Sequence, residues 1–317
     1  MKPPVVFIMG PTAAGKTAAA MALADQIDVA LISVDSALVY RDMNIGTAKP
    51  SSAELHAYPH QLINIRDPHQ SYCVAQFITD ASLAINTAHQ QQKLPVLVGG
   101  TLLYFKALLQ GLNDTPSADP ILRAQIQAKR ETQGLAALHQ WLTILDPLTA
   151  QRLHVNDQQR IERALEVVLS SGDSMSEHYS ADYFKQGWDI NSLAQAPWTI
   201  LPIAFAPKDK QLLHPLIEQR FDDMIHNGFL DEVDSLMQRS NIQVDSPAMR
   251  CVGYRQAWQH LLGNTSLKAF NEQGKAATRQ LAKRQMTWLR HWTSPTWIDP
   301  FNPTAHQTLL QAVQTIL

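Results

Sequence analysis

Cysteine is scarce in this chain: Cys73 and Cys251 are the only two in 317 residues. Two thiols make neither a disulfide framework nor the four-ligand cluster of a structural zinc site, so both read as unpaired. Long apolar runs are lacking as well. The stretch from Val5 to Met9 ends at once in a Gly-Pro turn, too short for the core of a signal peptide, and nothing approaches the roughly 18 apolar residues of a membrane span. A cytoplasmic protein without membrane contact is expected. Positive charge is not in excess either, since 26 Lys and Arg stand against 28 Asp and Glu for a formal net charge of -2. That excludes a surface basic everywhere, so any nucleic-acid contact has to come from local patches. There is no internal repeat and no low-complexity tract, and the length suits one large α/β domain with a smaller one.

What is present starts with Val5-Val6-Phe7-Ile8-Met9, a β-branched and aromatic run bounded by glycine that reads as a buried parallel strand. Similar runs occur at Ala30 to Val34, Leu62 to Ile65, Pro95 to Val98 and Thr199 to Ala206. Segments of helical composition, such as Ala18 to Ile27 and Val74 to Gln92, separate them. Strands alternating with helices predict an α/β fold: a parallel sheet of the P-loop NTPase type with helices on both faces. Between about Asn113 and Pro197 convincing strand runs disappear and helical spacing dominates. We read residues 1–113 and 197–317 as the catalytic core and residues 114–196 as a helical insertion. The insertion is entered through Asp114-Thr115-Pro116-Ser117-Ala118-Asp119-Pro120, a turn that starts a helix near Ile121. Later helices are expected at Gln211 to Asn227, Leu230 to Arg239 and Lys275 to Trp292.

Directly after the first strand stands Gly10-Pro11-Thr12-Ala13-Ala14-Gly15-Lys16-Thr17, the pattern G-x-x-x-x-G-K-[ST] of ATP- and nucleotide-binding P-loops. Chance places it in about one chain in a hundred of this length. Between a strand and a helix, its backbone N–H groups and the positive helix end face an anion. Lys16 then supplies charge to a terminal phosphate and the Thr17 hydroxyl holds Mg²⁺. Most chains with such a loop hydrolyse or transfer a γ-phosphoryl group. Here, however, the strand at Pro95 to Val98 ends in Gly99-Gly100-Thr101, where an NTPase more often places an acid. The suitably placed carboxylate is Asp35, past the strand at Ala30 to Val34 and on the same edge of the sheet. It could hold metal through water or serve as a base, and the residues alone leave both open.

The ordered motifs resemble those of the bacterial tRNA dimethylallyltransferases, also called tRNA isopentenyltransferases, over nearly the whole chain. They are G-P-T-A-A-G-K-T at Gly10, I-S-V-D-S-A-L-V-Y at Ile32, M-N-I-G-T-A-K-P at Met43, L-V-G-G-T-L-L-Y at Leu97, P-S-A-D-P at Pro116 and N-D-Q-Q-R-I-E-R-A-L-E-V at Asn156. Then follow I-E-Q-R-F at Ile217, R-C-V-G-Y-R-Q at Arg250 and T-R-Q-L-A-K-R-Q-M-T-W-L-R at Thr278. The resemblance implies transfer of a dimethylallyl group from dimethylallyl diphosphate to N6 of the adenosine 3′-adjacent to the tRNA anticodon. The P-loop would then grip a leaving diphosphate, helped by Mg²⁺ and by Arg220. Asp35 would be the base that takes the N6 proton, with Thr101 near the reacting groups.

The same resemblance implies a target adenine extruded from the anticodon stem-loop into a collar of Asp35, Ser36, Ala37 and Leu38. Further tRNA contacts are implied at Thr101 and Arg123, and in Gln159, Arg160, Ile161, Glu162 and Arg163. In that helix, capped by Asn156 or Asp157, the apolar set Ile161, Leu165 and Val168 reads as core. The R-C-V-G-Y-R segment adds Arg250, Cys251, Val252, Gly253, Tyr254 and Arg255, although Cys251 by itself reads as packing. Independently of the resemblance, residues from Arg250 to Arg290 form a basic patch, with Lys275, Arg279 and Lys283 on one helical stripe suited to phosphates. Arg279 and Lys283 are accordingly counted as tRNA contacts. Two departures stand out: Leu216 replaces an Arg that many relatives carry four residues before the match to Arg220, and the C-terminal Cys/His zinc module of eukaryotic relatives is missing. A bacterial-type enzyme, acting as a monomer, is expected.

Overall fold

The computed structural model describes residues 2–111, 116, 119–178, 196–292 and 294–317. Most of the expected entry turn of the insertion (Asp114, Thr115, Ser117, Ala118) and residues 179–195 at its exit lie outside the described residues. The chain divides into two compact units, one of Met1–Gln110 with Trp188–Leu317 and the other of Gly111–Gly187.

The larger unit is built on a six-stranded sheet: β1 Pro4–Met9, β2 Val29–Val34, β3 His60–Gln61, β4 Leu94–Gly99, β5 Thr199–Phe205 and β6 Thr296–Ile298. Every pairing is parallel and the order is β3-β2-β4-β1-β5-β6. A parallel sheet hides both faces, and the strand sequences alternate between two apolar layers accordingly. Val5, Phe7 and Met9 face one side with Ile32, Val34 and Leu97, under α3 Val74–Gln90 and α4 Leu102–Gln110. Val6 and Ile8 face the other with Leu31, Val96 and Val98, under Ala19, Ala20 and Leu23 of α1 Lys16–Ala24.

The run from Leu62 to Ile65 is not a strand. Leu62 and Asn64 take left-handed backbone conformations, with φ of 66° and 58°, which break a pleat and turn the chain. Pairing survives only at His60–Gln61 and in one bridge between Tyr40 and Arg66. Conversely, the short β6 carries too few residues to stand out by pattern.

The smaller unit is helical throughout its described part: α2 Ser52–Ala57 belongs to the larger unit, and α5 Pro120–Gln133, α6 Leu135–Leu145, α7 Pro147–Arg152, α8 Gln158–Ser171 and α9 Met175–His178 to the smaller. Asp119 caps α5 and Pro120 opens it, and Asp157, not Asn156, caps α8. Its core is Ile126, Leu138, Leu142, Ala150, Ile161, Ala164 and Leu165.

Beyond β5 the larger unit continues through α10 Leu213–His226, α11 Phe229–Met237, α12 Tyr254–Leu261, α13 Leu267–Arg290 and α14 Ala305–Gln314. The first four of these enclose a separate core around Phe221, Phe229, Tyr254 and Phe270, which also takes in Val39, Tyr40 and Met43 from the loop after β2. Close helix approach depends on Gly274, where an added Cβ would fall 2.0 Å from the Phe221 ring. The loop after β2 is therefore fixed from above, and it is this loop that starts with Asp35.

Candidate active site

The P-loop leaves the end of β1 and turns through Ala13 and Gly15, whose φ values are 64° and 77°. Gly10 passes so close to β5 that a Cβ there would meet the Phe205 carbonyl oxygen at 2.1 Å. Helix α1 begins at Lys16 with Gly15 as N-cap and with no side chain bonded to its first amides. Those orphan N–H donors and the positive helix end face outward together, the arrangement that receives an anion. Two loop amides before the helix are already bonded: Thr12 donates to Gln285 Oε1 at 2.8 Å and Ala14 to the Pro11 carbonyl at 3.4 Å. Lys16 Nζ donates to the Pro11 carbonyl at 2.6 Å, inside the loop.

Asp35 stands at the end of β2. Its Oδ1 accepts the Ala37 and Leu38 amides at 2.8 and 3.3 Å, which folds Asp35 to Leu38 into a tight turn. Ser36 at the tip is exposed. Thr101, past β4, accepts the Ser36 amide at 3.1 Å on its hydroxyl, and its own amide donates to the Val34 carbonyl. Thr101 thus ties the end of β4 to the turn of Asp35. The strands can approach there because Gly99 has no side chain: a Cβ would lie 2.0 Å from the Val34 oxygen.

Electrostatics join these pieces. Burial pushes the Lys16 ammonium down to about 8, the Asp35 charge opposing and the Arg220 charge adding to that shift. Arg220, on α10, is itself lowered by burial and supported by Asp35. Burial, together with the Asp35 charge, also pushes the Cys251 thiol up to about 12, so it stays protonated and is a packing group rather than a nucleophile. Tyr104 is raised too, by burial and then by the charges of Tyr40 and Asp35. Asp35 therefore lies within the field of two cations and of two neutral, half-buried or buried groups. A small pocket of 70 Å³ is lined by Thr12 and Ala13 of the P-loop together with Arg220, Phe221 and Val252, so Arg220 faces the loop. A wider cavity of 720 Å³ opens on Arg220 from the other side, among Arg41, Asn44, Lys49, Asn64 and Met224. Leu216, one helical turn before Arg220, is exposed and brings no charge.

The loop that walls this cavity, Asn44 to Gly46, is held by a residue that sequence reading missed. Glu232 on α11 accepts the amides of Asn44, Ile45 and Gly46 at 2.7, 2.7 and 3.2 Å and the Tyr254 hydroxyl at 2.5 Å. Gly46 is a glycine because the Phe229 ring occupies the place of a Cβ, 2.1 Å away. Gln285 was missed as well: it sits beside the apolar positions Ala282, Met286 and Leu289 of its helix, and a single polar residue there carries no signal of the backbone groups it bonds.

The side chains expected to meet tRNA differ widely in exposure. Tyr254 is fully buried and turned onto Glu232, and Gly253 is buried beneath Phe229, so only Arg250 and Arg255 of that segment are exposed. Within the helical unit Ile161 is fully buried in the core, which leaves Gln159 and Arg160 as the exposed members of their group. Glu162 takes Arg130 at 2.7 Å. Arg123 and Arg163 both donate to the buried Glu166, and Arg163 also reaches the Pro116 carbonyl at 2.8 Å. On α13, Lys275 pairs with Asp222 at 2.7 Å and Arg279 with Glu218 at 2.8 Å, so two cations of the stripe tie α13 to α10, while Lys283 is exposed.

Among the described residues no three His, Cys, Asp or Glu side chains cluster as a metal site, and no helix is long and apolar enough to cross a membrane. The donors at the P-loop are hard oxygens, the Thr17 hydroxyl first among them. That set fits a small cation completing its shell with substrate phosphates and water, as Mg²⁺ does.

The sequence matches the family described as IPP transferase over residues 38–292. Among solved structures, it is 32% identical to the full-length tRNA isopentenylpyrophosphate transferase of Bacillus halodurans, covering 100% of this chain and 98% of that one with a TM-score of 0.69. The tRNA Δ(2)-isopentenylpyrophosphate transferase of Staphylococcus epidermidis is 28% identical, over 99% of this chain and 98% of that one, with a TM-score of 0.67. A eukaryotic dimethylallyltransferase acting on tRNA is 26% identical over 97% of this chain and 78% of that one, and has a TM-score of 0.76. With the family model matched over most of its length, the chain belongs to the IPP transferase family.

Proposed function

We propose that this tRNA prenyltransferase moves a dimethylallyl group from dimethylallyl diphosphate to N6 of the adenosine 3′-adjacent to the anticodon. The observation that carries the assignment of roles is Asp35, set in the joint field of Lys16 and Arg220 beside an uncapped helix end. The amides from Ala13 to Thr17 and the Lys16 and Arg220 cations take up the diphosphate. As the allylic C1–O bond breaks, its electron pair leaves with the diphosphate, whose growing charge those cations stabilise. Mg²⁺, held by Thr17 and the diphosphate oxygens, would neutralise more of that charge when bound.

The N6 lone pair forms the new bond to C1 and the amine becomes acidic as it does so. Asp35 accepts the proton, leaving neutral prenylated adenine. Such positioning of a base contributes about a hundred- to ten-thousand-fold in rate. Thr101 holds the Asp35 turn through Ser36. Ser36, Ala37 and Leu38 form the collar of an extruded adenine, and exposed cations such as Arg250, Arg255 and Lys283 meet phosphates. The helical unit adds Gln159 and Arg160, with Arg123 and Arg163 adjoining. All these residues belong to one chain, so a monomer in the cytoplasm, where tRNA is used, is sufficient.

Labelled dimethylallyl diphosphate incubated with tRNA, with AMP or with neither tests this reading. Label is expected in tRNA alone, and Asp35→Asn is expected to lose transfer while keeping pyrophosphate affinity. Undiminished transfer by Asp35→Asn would remove Asp35 from its role.

A further inference from the structure

The P-loop and the glycine turn after β4 end on adjacent strands, and one side chain spans them. Gln285 accepts the Thr12 amide at 2.8 Å through Oε1 and donates to the Gly100 carbonyl at 3.0 Å through Nε2. A carboxamide offers an acceptor and a donor on one planar group at any pH, and glutamine carries it farther from the helix than asparagine does. Gly100 is shaped for it, since an added Cβ would lie 2.3 Å from Nε2. On the same face of α13, one turn earlier, Ala282 shares an apolar cluster with Ala14 of the P-loop and with Leu213 and Ile217, and Met286 and Leu289 pack into the sheet core. The amide is therefore delivered by a helix anchored to both of the elements it joins.

On the reading above, the two bonded segments carry opposite halves of the reaction. Thr12 leads directly into the diphosphate cradle, whereas Gly100 precedes Thr101, which holds the turn of Asp35 and Ser36. We infer that Gln285 is a positioning residue that sets the distance between the diphosphate cradle and the acceptor-side turn. It touches neither substrate. It also removes the Thr12 amide from the set of anion donors, so the cradle proper begins at Ala13. A misplacement of about 1 Å between reacting groups costs up to roughly a hundredfold in rate, and it costs affinity for each separate substrate far less.

The test uses the full chain with tRNA and dimethylallyl diphosphate, comparing wild type with Gln285→Met, Gln285→Glu and Gly100→Ala. Wild-type transfer measured in parallel establishes the reaction itself, so failure there would count against the functional reading and not against Gln285. Gln285→Met keeps the shape of the side chain and loses both hydrogen bonds. It is expected to lower kcat on the order of ten- to a hundredfold, with Kd values for pyrophosphate and tRNA within about threefold of wild type. Gly100→Ala should give a similar loss, and the double variant should be little worse than either single one.

Gln285→Glu separates positioning from general structural damage. At neutral pH its second carboxylate oxygen meets the Gly100 carbonyl; protonated, it donates there as the amide did. Its kcat relative to wild type at the same pH should therefore recover as pH falls from about 7 to about 4, through the ordinary carboxyl pKa of about 4.3. Lys16 and Asp35 are common to both proteins and cancel in the ratio. Melting temperatures and pyrophosphate binding verify that each variant is folded. A folded Gln285→Met with kcat within twofold of wild type, additive losses in the double variant, or a Gln285→Glu ratio flat with pH would each overturn the inference.

Discussion

The charge of Asp35 opposes the loss of proton affinity that burial imposes on Lys16, yet the ammonium still sits at about 8, below the ordinary 10.5. Diphosphate capture needs the protonated form. We expect kcat/KM for dimethylallyl diphosphate to fall above about pH 8, with the limb moved to higher pH in kcat because bound diphosphate favours the ammonium. For stability the sign is the reverse: the protonated lysine is a cost to the fold below about pH 8, relieved as pH rises from about 8 towards 10.5. A pH–rate profile for Lys16→Met lacking this limb checks the assignment; the same limb in that variant would exclude it.

Thr101→Val removes the acceptor of the Ser36 amide while keeping the side-chain shape. The expected result is a fall in kcat of about tenfold or more, since the Asp35 turn loses its tie to β4, and Thr101→Ser should retain most of the activity. Single-turnover rates with saturating substrates distinguish this from a binding effect.

Gly99→Ala is expected to be a folding defect and not a catalytic one. Its Cβ would press on the Val34 carbonyl, which belongs to the strand backbone and cannot swing aside. Denaturant unfolding should show a loss of about 3 kcal/mol or more, or no soluble protein.

Glu232→Ala frees the amides of Asn44, Ile45 and Gly46 and the Tyr254 hydroxyl together. A loss of roughly 2–4 kcal/mol is expected, on the scale of hydrogen bonds to a charged group. Hydrogen exchange should rise first in the loop around Gly46.

The cations of α13 divide by partner. Arg279→Ala removes an exposed pair with Glu218 and should change stability by less than about 1 kcal/mol. Lys283→Ala should leave stability alone and lower the salt slope of tRNA binding by about one. Equal slopes for Lys283→Ala and wild type would remove Lys283 from the RNA surface.

Sequence was most informative where local chemistry dictates structure. β1, β2, β4 and β5 are apolar runs long enough to be buried on both faces, and the P-loop is written in its own residues. The capping residues Asp119 and Asp157 likewise mark helix starts by a side chain that must bond the next turn. Legibility failed where the deciding interaction is long-range. Leu62 to Ile65 has strand composition, but left-handed residues break it. Lys275 and Arg279 read as a free basic stripe because Asp222 and Glu218 lie more than fifty residues away in the chain. Gln285 and Glu232 act across 185 or more residues on backbone groups, which leave no trace in side-chain patterning.

The strand order puts β4 between β1, which carries the P-loop, and β2, which carries Asp35. The P-loop and the Asp35 turn are thus two interstrand steps apart, roughly 10 Å at the usual spacing of parallel strands. The strand in between ends in Gly99, and the Gln285 amide lies on the next residue, Gly100. On the proposed reaction, the distance that a five-carbon chain and its acceptor amine must bridge is consequently a dimension of peptide hydrogen bonding. Side-chain substitutions can line that gap, but the spacing of the strands sets its width.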